Sequence, residues 1–394
     1  MVNNRVVVKF GGADLSTSEK IMHAAMLVVT SRYKERIVVV SAMGNATDTL
    51  VNTVKDIENV SDEDYAQVVS MGERTSARVF CSVLNALGSK AVVFDPDYEN
   101  WPIITDSNFR DAKPDVEKTC MRVQKFLKPI LQDSIPVVCG FLGRDSEGHV
   151  TTLGRGGSDT TALLLANCLR AEEVVLVKET FGVLSADPRV VPNAKPLEKL
   201  DVHEMFDLAQ GGAKIVKPES LRHKLPSQKL RIVNFASQNL AANGTEITGS
   251  INTASAETTT HRNLLALNIL CEVNAQNLQR IFGMLSGNPI YSISSGRRSL
   301  TVFTIDGNVR EVLNKLHAID SLKAISHREK VAMIQVSHPM FVDSPGGVAE
   351  ISMTLSRNGI NIIEVTTSKT TINVFIEENQ LKKATEAINN VSKA

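Results

Sequence analysis

The sequence predicts an α/β protein in which a mostly parallel sheet flanked by helices is followed by two smaller ferredoxin-like units. Three observations predict it. Up to about residue 235, short β-branched runs alternate with longer helix-patterned segments. From 237 to 261 the chain turns to Asn, Ala, Thr, Gly and Ser with few large apolar residues. Beyond that it repeats itself: 290–303 aligns over 362–375 at an offset of 72, matching Ile293 with Val365, Leu300 with Ile372, and Val302-Phe303 with Val374-Phe375. A chain of 394 residues, 43% hydrophobic and 22% charged, has room for two or three such domains.

Each element has its own warrant. Strands are expected at 5–10, 36–41, 90–95, 135–139, 173–177 and 230–235. The unbroken apolar runs Val6-Val7-Val8 and Ile37-Val38-Val39-Val40 suit strands covered on both faces. Between the first two, Ile21, Ala24, Ala25, Val28 and Val29 recur at helical spacing, with Ser16 placed to cap a helix over 16–33. A longer helix is expected over 61–87, opened by Ser61-Asp62-Glu63-Asp64, and an apolar one over 160–169. The predicted domains are 1–236, a linker at 237–262, a first unit at 263–330 and a second at 331–394. The second unit reads strand 331–336, a Pro345-Gly346-Gly347 turn, helix 348–358, strands 361–367 and 371–376, and helix 379–390.

Composition narrows the chemistry. The 43 Lys and Arg balance 43 Asp and Glu, so the gross charge draws the chain to neither nucleic acid nor an anionic membrane, and an anion site must be local. The five cysteines (Cys81, Cys120, Cys139, Cys168, Cys271) are widely spaced, arguing against a disulfide scaffold and against structural zinc. No apolar run approaches the roughly 18 residues of a membrane span, and a reducing cytoplasmic setting is expected.

The chemical signal lies in four segments, three of them just after predicted strands, where open α/β sheets place ligands. In Lys9-Phe10-Gly11-Gly12 a lysine ends a strand and two glycines let backbone N–H groups approach an anion. In Gly154-Arg155-Gly156-Gly157-Ser158-Asp159 an arginine fork, a hydroxyl and a carboxylate open a helix. Asp159 could serve there simply as a helix cap. The segment Gly182-Val183-Leu184-Ser185-Ala186-Asp187-Pro188-Arg189 reads by itself only as a turn, and Glu73 by itself as a glutamate on a long helix.

Together these segments resemble the amino acid kinase family and, within it, the aspartate kinases. The likeness includes Val40-Ser41-Ala42 with Thr47, Gly72-Glu73, the 152–159 segment, Gly212-Ala213-Lys214, and a C-terminal repeat resembling a tandem pair of ACT domains, modules that bind amino acids as regulatory ligands. The resemblance implies an amino acid kinase fold plus two ACT domains, and transfer of the ATP γ-phosphoryl group to the side-chain carboxylate of L-aspartate. It makes Lys9, Asp159 and Lys214 catalytic. Ser41, Thr47, Glu73, Arg155 and Ser158 become aspartate-binding, with Arg155 on the α-carboxylate and Glu73 on the α-ammonium. ATP is assigned to Lys9, Gly11, Gly12, Lys178, Glu179, Asp187, Arg189 and Lys214. Mg²⁺ is expected on the phosphates, with no metal ligand from the chain. A lysine or threonine effector and a homodimer or larger assembly through the ACT domains are also implied. That chemistry is sensible: a carboxylate with a pKa near 3.9 is already ionised, so the reaction needs positive charge and positioning rather than a general base.

The sequence departs from the family pattern at Lys178, Glu179 and Leu184 in the nucleotide loop, at Ala13 after Gly12, and at Lys217 after the Gly-Ala-Lys segment. It also carries Glu272 to Asn277 where the first ACT copy often has a Pro-Gly turn. The competing readings are a non-catalytic amino-acid sensor and a kinase of another small acid. The joint presence of Lys9, Arg155, Asp159 and Lys214 favours an enzyme over the sensor, and a kinase of another small acid is the nearest enzymatic alternative.

Overall fold

A computed structural model describes residues 4–251, 256–305, 307–338, 341 and 345–391. The chain divides into two compact units, Met1–Ile251 and Asn252–Ala394.

In the first unit the chain runs β1 (Arg5–Phe10), α1 (Ser18–Val29), β2 (Glu35–Val40), α2 (Ala46–Val54), α3 (Asp62–Ala86), β3 (Ala91–Phe94), α4 (Val116–Arg122) and β4 (Ile135–Cys139). It continues through the ribbon β5 (Leu142–Arg144) and β6 (Val150–Thr152), α5 (Gly157–Leu169) and β7 (Glu173–Lys178). A second ribbon, β8 (Val183–Leu184) with β9 (Pro196–Leu197), precedes β10 (Lys199–Asp201), α6 (Val202–Gln210), β11 (Lys229–Asn234) and β12 (Gly244–Thr248). Eight of these strands form one sheet in the order β10-β12-β11-β7-β1-β2-β4-β3, parallel except where β12 turns back along β11. All six expected strands are present within a residue or so of their predicted ends. Val6, Val7, Val8 and Phe10 have no exposure, as strands covered on both faces require.

Local signals set the helix ends, with two corrections. Thr17, not Ser16, caps α1, accepting from the Lys20 N–H at 3.3 Å; the Ser16 hydroxyl bonds back to the Ala13 carbonyl instead. Ser61 caps α3 as expected. Helix α5 begins at Gly157, three residues before its predicted start, because Gly156 adopts φ 76°, a left-handed turn that glycine makes without a Cβ clash. The glycine-rich segment therefore runs straight into α5, with Gly157 in its first turn, and Asp159 is inside the helix rather than capping it.

The segment expected as a linker also differs. Gly244–Thr248 is a strand of the large sheet, and the next strand begins at Glu257. Its alternation of small and β-branched residues is too short to stand out from a polar loop, and only the pairing with β10 and β11 makes it a strand. The cysteines bring a further correction: Cys120 on α4 and Cys168 on α5, 48 residues apart, are joined by a disulfide, while Cys81, Cys139 and Cys271 are free and buried. Sequence spacing gave no hint of it, because helix packing brings the two together. Among the described residues no helix is long and apolar enough to cross a membrane.

The second unit comprises β13 (Glu257–Leu270), α7 (Ala275–Met284), β14 (Ile290–Ser295), β15 (Ser299–Ile305), α8 (Val309–His317), β16 (Ala324–Ser337), α9 (Gly347–Arg357), β17 (Glu364–Thr367), β18 (Thr371–Glu377) and α10 (Leu381–Val391). Both repeats are there, but they are not consecutive blocks. One sheet in the order β14-β15-β13-β16-β18-β17 serves both, and the long strands β13 and β16 pass from one repeat into the other. Asn263 and Lys330, non-glycine residues at φ 53° and 55°, mark the crossing point, where the β13–β16 register slips. Helices α7 and α8 cover a core around Leu265, Leu267, Ile281 and Val302, and α9 and α10 one around Ile334, Leu355, Val374 and Ile388. The sheet is so curved that Phe303 and Phe375 stack at 3.5 Å, and the edge strands touch through Ser292 and Thr366 at 2.7 Å.

This stack joins the two repeats through buried aromatic surface. Phe375→Ala should destabilise the second unit by about 3–5 kcal/mol, lowering its thermal transition in calorimetry while leaving that of the first unit in place.

Candidate active site

The C-terminal ends of β1, β2, β4 and β7 converge with the first turns of α2 and α5 and the middle of α3. Strand pairing aligns Lys9 of β1 with Leu176 of β7, which sets Lys178 one step past the β1 end. Between them lies Asp159. Its Oδ1 is 2.9 Å from the Lys9 Nζ and its Oδ2 is 3.6 Å from the Lys178 Nζ, with all three side chains largely withdrawn from water. The Lys217 backbone N–H also donates to Asp159 Oδ2 at 3.4 Å. Burial would raise the Asp159 carboxyl, but the charges of Lys178 and Lys9 and these hydrogen bonds outweigh it and hold the pKa at about 2. Burial lowers the Lys178 ammonium to about 8 against the opposing pull of Asp159.

The glycine cradle sits beside this group. Gly11 donates its N–H to Asp14 Oδ2 at 2.9 Å, and the other oxygen of this buried carboxylate has no partner. Burial lifts the Asp14 pKa to about 6, against the Gly11 hydrogen bond and the charges of Lys9 and Lys178. Sequence reasoning missed Asp14; the signal was a carboxylate two residues after a glycine pair expected to meet phosphate.

A second cluster surrounds Glu73. This residue, 3% exposed in the middle of α3, accepts from the Ala42 N–H at 3.1 Å and the Thr47 hydroxyl at 3.2 Å through Oε1, while Oε2 is buried and unpartnered. Burial raises its pKa to about 7, against those hydrogen bonds. The cluster is tight because Gly72 lets α3 lie on the end of β2: a Cβ there would stand 2.8 Å from that of Ala42. Ser41 and Ser158 join at 2.9 Å through their hydroxyls, tying the end of β2 to α5. A buried carboxylate with one free oxygen is half of a site for a cation.

Other expected site residues are not gathered in. Arg155 projects into solvent, 95% exposed, with a 3.4 Å contact to Asp48, the neighbour of Thr47 on α2. Lys214, expected beside Asp159, is exposed in the turn after α6, and Lys178 takes the place at Asp159. Lys217 turns its Nζ to the Leu153 carbonyl at 2.7 Å, with its stem against Gly156, so its extra charge supports the glycine loop rather than the cradle. Glu179 is exposed and pairs with Lys20 at 2.9 Å. Asp187 and Arg189 pair with each other at 2.7 Å on an exposed loop. Sequence order could not distinguish these cases, because each depends on where a loop lies relative to β1.

A buried carboxylate flanked by lysines thus stands at the mouth of a parallel sheet, next to a glycine cradle and a half-satisfied carboxylate. The chain belongs to the amino acid kinase family, whose pattern matches residues 4–234, and within it to the aspartokinases; an ACT domain pattern matches residues 326–390. It is 30% identical to the aspartokinase of Corynebacterium glutamicum and 28% identical to that of Bacillus sp. (strain MGA3), in each case over 97% of this chain and 94% or 96% of the relative. In fold it is similar to the aspartate kinase of Synechocystis (TM-score 0.72, 24% identity, 99% of this chain, 70% of that one). It is also similar to E. coli aspartokinase III crystallised with aspartate and ADP (TM-score 0.58, 22% identity, 98% of this chain, 99% of that one).

The raised pKa of Glu73 has a signed consequence. The folded protein binds more protons than the unfolded chain between the ordinary value of 4.5 and about 7, so stability falls as pH rises through that window, and the full cost is present above it. Glu73→Gln removes the charge, and without substrate it should gain about 1–3 kcal/mol over the unaltered protein at pH 8 and nothing at pH 4. Thermal unfolding of both at the two pH values checks this.

Proposed function

We propose that this chain phosphorylates the side-chain carboxylate of L-aspartate from ATP, giving 4-phospho-L-aspartate, the entry to lysine, threonine and methionine. The observation that carries the reading is the unpartnered Oε2 of buried Glu73, in a cluster that the Ser41–Ser158 contact ties to the helix turn bearing Asp159. An α-ammonium is the natural partner for that oxygen; binding it would draw Glu73 to its charged form and repay the burial. Ser41, Thr47 and Ser158 line the same corner, and Arg155, free to swing, is suited to close on the α-carboxylate with two parallel hydrogen bonds. A substrate with an amide in place of the amine would leave Glu73 unmatched, which separates aspartate from N-acylated amino acids.

The aspartate carboxylate needs no base. It must be brought against a phosphate of like charge, and Lys9 would neutralise the transferring group while Asp159 fixes the lysine in place. The Gly12 N–H would meet a phosphate oxygen, with Gly11, whose own N–H is held by Asp14, giving the phosphate room, and Lys214, Asp187 and Arg189 would meet the nucleotide when their exposed loops close on it. Among the described residues no group of three or more His, Cys, Asp or Glu could hold a metal ion. Mg²⁺ would be carried by the nucleotide phosphates, with the unpartnered oxygen of Asp14, beside the glycine cradle, available to it. Bound there, the ion would spread the phosphate charge.

The second unit is read as regulatory and as the site of assembly into a homodimer or larger. In its second repeat the corner at 358–362 is the proposed ligand site: Gly359 turns the chain at φ 66°, and Lys383 donates to the Asn358 carbonyl at 2.6 Å. In the first repeat the corner that matches it, 286–290, keeps a left-handed glycine, Gly287 at φ 89°. Asn274 and Asn277, however, in the segment that stands where the second repeat has Pro345-Gly346-Gly347, are taken up by hydrogen bonds to the Asn277 N–H, the Glu272 carbonyl and Ser321, which favours a structural role.

The test is an ATP- and Mg²⁺-dependent assay against a panel of amino acids, trapping the acyl phosphate with hydroxylamine. L-Aspartate should give hydroxamate, and N-acetylglutamate, carbamate and UMP none; better use of N-acetylglutamate would refute the substrate assignment. Regulation is checked by calorimetry with lysine, threonine and methionine alongside activity. Partial inhibition by lysine or threonine is expected, since complete switching needs about 5.5 kcal/mol of differential affinity.

A further inference from the structure

We infer that Lys178 is a second catalytic cation of this chain, gripping the transferring phosphoryl group jointly with Lys9 while Asp159 aims both. The inference rests on the kinase reading above and names the residue on which its rate depends.

Geometry carries it. One carboxylate, Asp159, has an ammonium at each oxygen, from the ends of the adjacent strands β1 and β7. Neutralising Asp159 takes one lysine, and Lys9 at 2.9 Å already does so. At 3.6 Å the Lys178 ammonium lies outside hydrogen-bond range of Asp159, so its protons are not consumed there and remain available to a phosphate oxygen. Two ammoniums held to one carboxylate lie close enough to share a single phosphoryl group, so both serve the group that Lys9 serves. The backbone under Lys178 is fixed: its carbonyl accepts from the Phe235 N–H at 2.7 Å, and the next carbonyl, of Glu179, accepts from the Asn234 side chain at 2.8 Å. Such a donor is preorganised before substrate arrives.

The other lysines nearby are committed elsewhere. Lys217 is on the Leu153 carbonyl, Lys20 on the Ala13 carbonyl and Glu179, and Lys214 lies in the exposed turn after α6. Of the other charges that act on Lys178, Lys9 is its companion on Asp159 and Asp14 is turned to the Gly11 N–H, while the adjacent Glu179 pairs with Lys20. In the step itself an aspartate carboxylate oxygen forms the new bond to Pγ as the bond from Pγ to the bridging oxygen breaks. ADP leaves with that electron pair. Lys178 keeps its proton throughout, donating hydrogen bonds to non-bridging oxygens.

The experiment compares the intact unaltered protein with Lys178→Met, Lys178→Arg and Lys214→Met. Hydroxamate kinetics are paired with calorimetry of ADP and of the β,γ-imido analogue of ATP. Lys178→Met should lose roughly 10²–10³-fold in kcat, bind ADP within about threefold of normal, and lose its preference for the imido analogue over ADP. Lys178→Arg, which keeps the charge, should retain more turnover than Met, whereas Lys214→Met should act mainly on the KM for ATP. A kcat within about threefold of normal in Lys178→Met, or affinity lost equally for ADP and the analogue, would overturn the proposal. If Lys178→Met does not fold, acylation of Lys178 in the unaltered protein, followed by mass spectrometry, decides it. Protection by the imido analogue and not by ADP supports the role; equal protection or none refutes it. An unaltered protein that forms no hydroxamate from aspartate would overturn the substrate reading, while the analogue-versus-ADP comparison would still test Lys178.

Discussion

The contact of Asp159 with two lysines is the constraint around which the first unit is organised. Buried like charges repel strongly and a buried isolated charge is expensive to desolvate, so neither lysine could sit at the sheet mouth without the carboxylate. Holding Asp159 there requires α5 to start at Gly157, and that start requires the left-handed Gly156. It also requires β1 and β7 to be neighbours in parallel register, which fixes the middle of the sheet. The long apolar body of α5, buried almost throughout, packs on β1, β2 and β7 and anchors the carboxylate from behind.

The Glu73 cluster is a separate solution to a related problem. There a carboxylate is buried without a counter-charge and is met only by a backbone N–H, a hydroxyl and a free space. The two carboxylates are consequently driven apart, Asp159 to about 2 and Glu73 to about 7. This is the separation expected when one organises cations and the other awaits one. The Ser41–Ser158 hydroxyl contact links the strand end next to Ala42, which bonds Glu73, with the helix turn that bears Asp159, so the two clusters share a backbone.

In the second unit, likeness of sequence between the repeats does not mean two separate modules. Strands β13 and β16 are each long enough to serve both, and the positive φ values at Asn263 and Lys330 bend them where service passes from one to the other. Curving the common sheet until Phe303 meets Phe375 buries the face turned away from the helices, which includes Leu264, Val331 and Met333. A repeat alone would leave that face wet.

By itself the sequence determined the parallel sheet, the helices that alternate with it, the repeat and the chemical character of the site, because unbroken β-branched runs, helical periodicity and glycine-flanked charges are local signals. Lys9, Ser158 and Asp159 stood out for that reason, whereas Glu73 was singled out only by the resemblance to the family, since a lone glutamate on a helix carries no local signal. Tertiary structure alone decided which charges meet. Lys178 rather than Lys214 reached Asp159 because it ends the strand next to β1, and Lys217 was diverted to the Leu153 carbonyl by the fold of the glycine loop. The Cys120–Cys168 bridge, the strand Gly244–Thr248 and the shared strands of the repeats are likewise long-range pairings. A linear pattern carries no information about distance across the fold, and an ion pair's energy depends on that distance and on the water excluded around it.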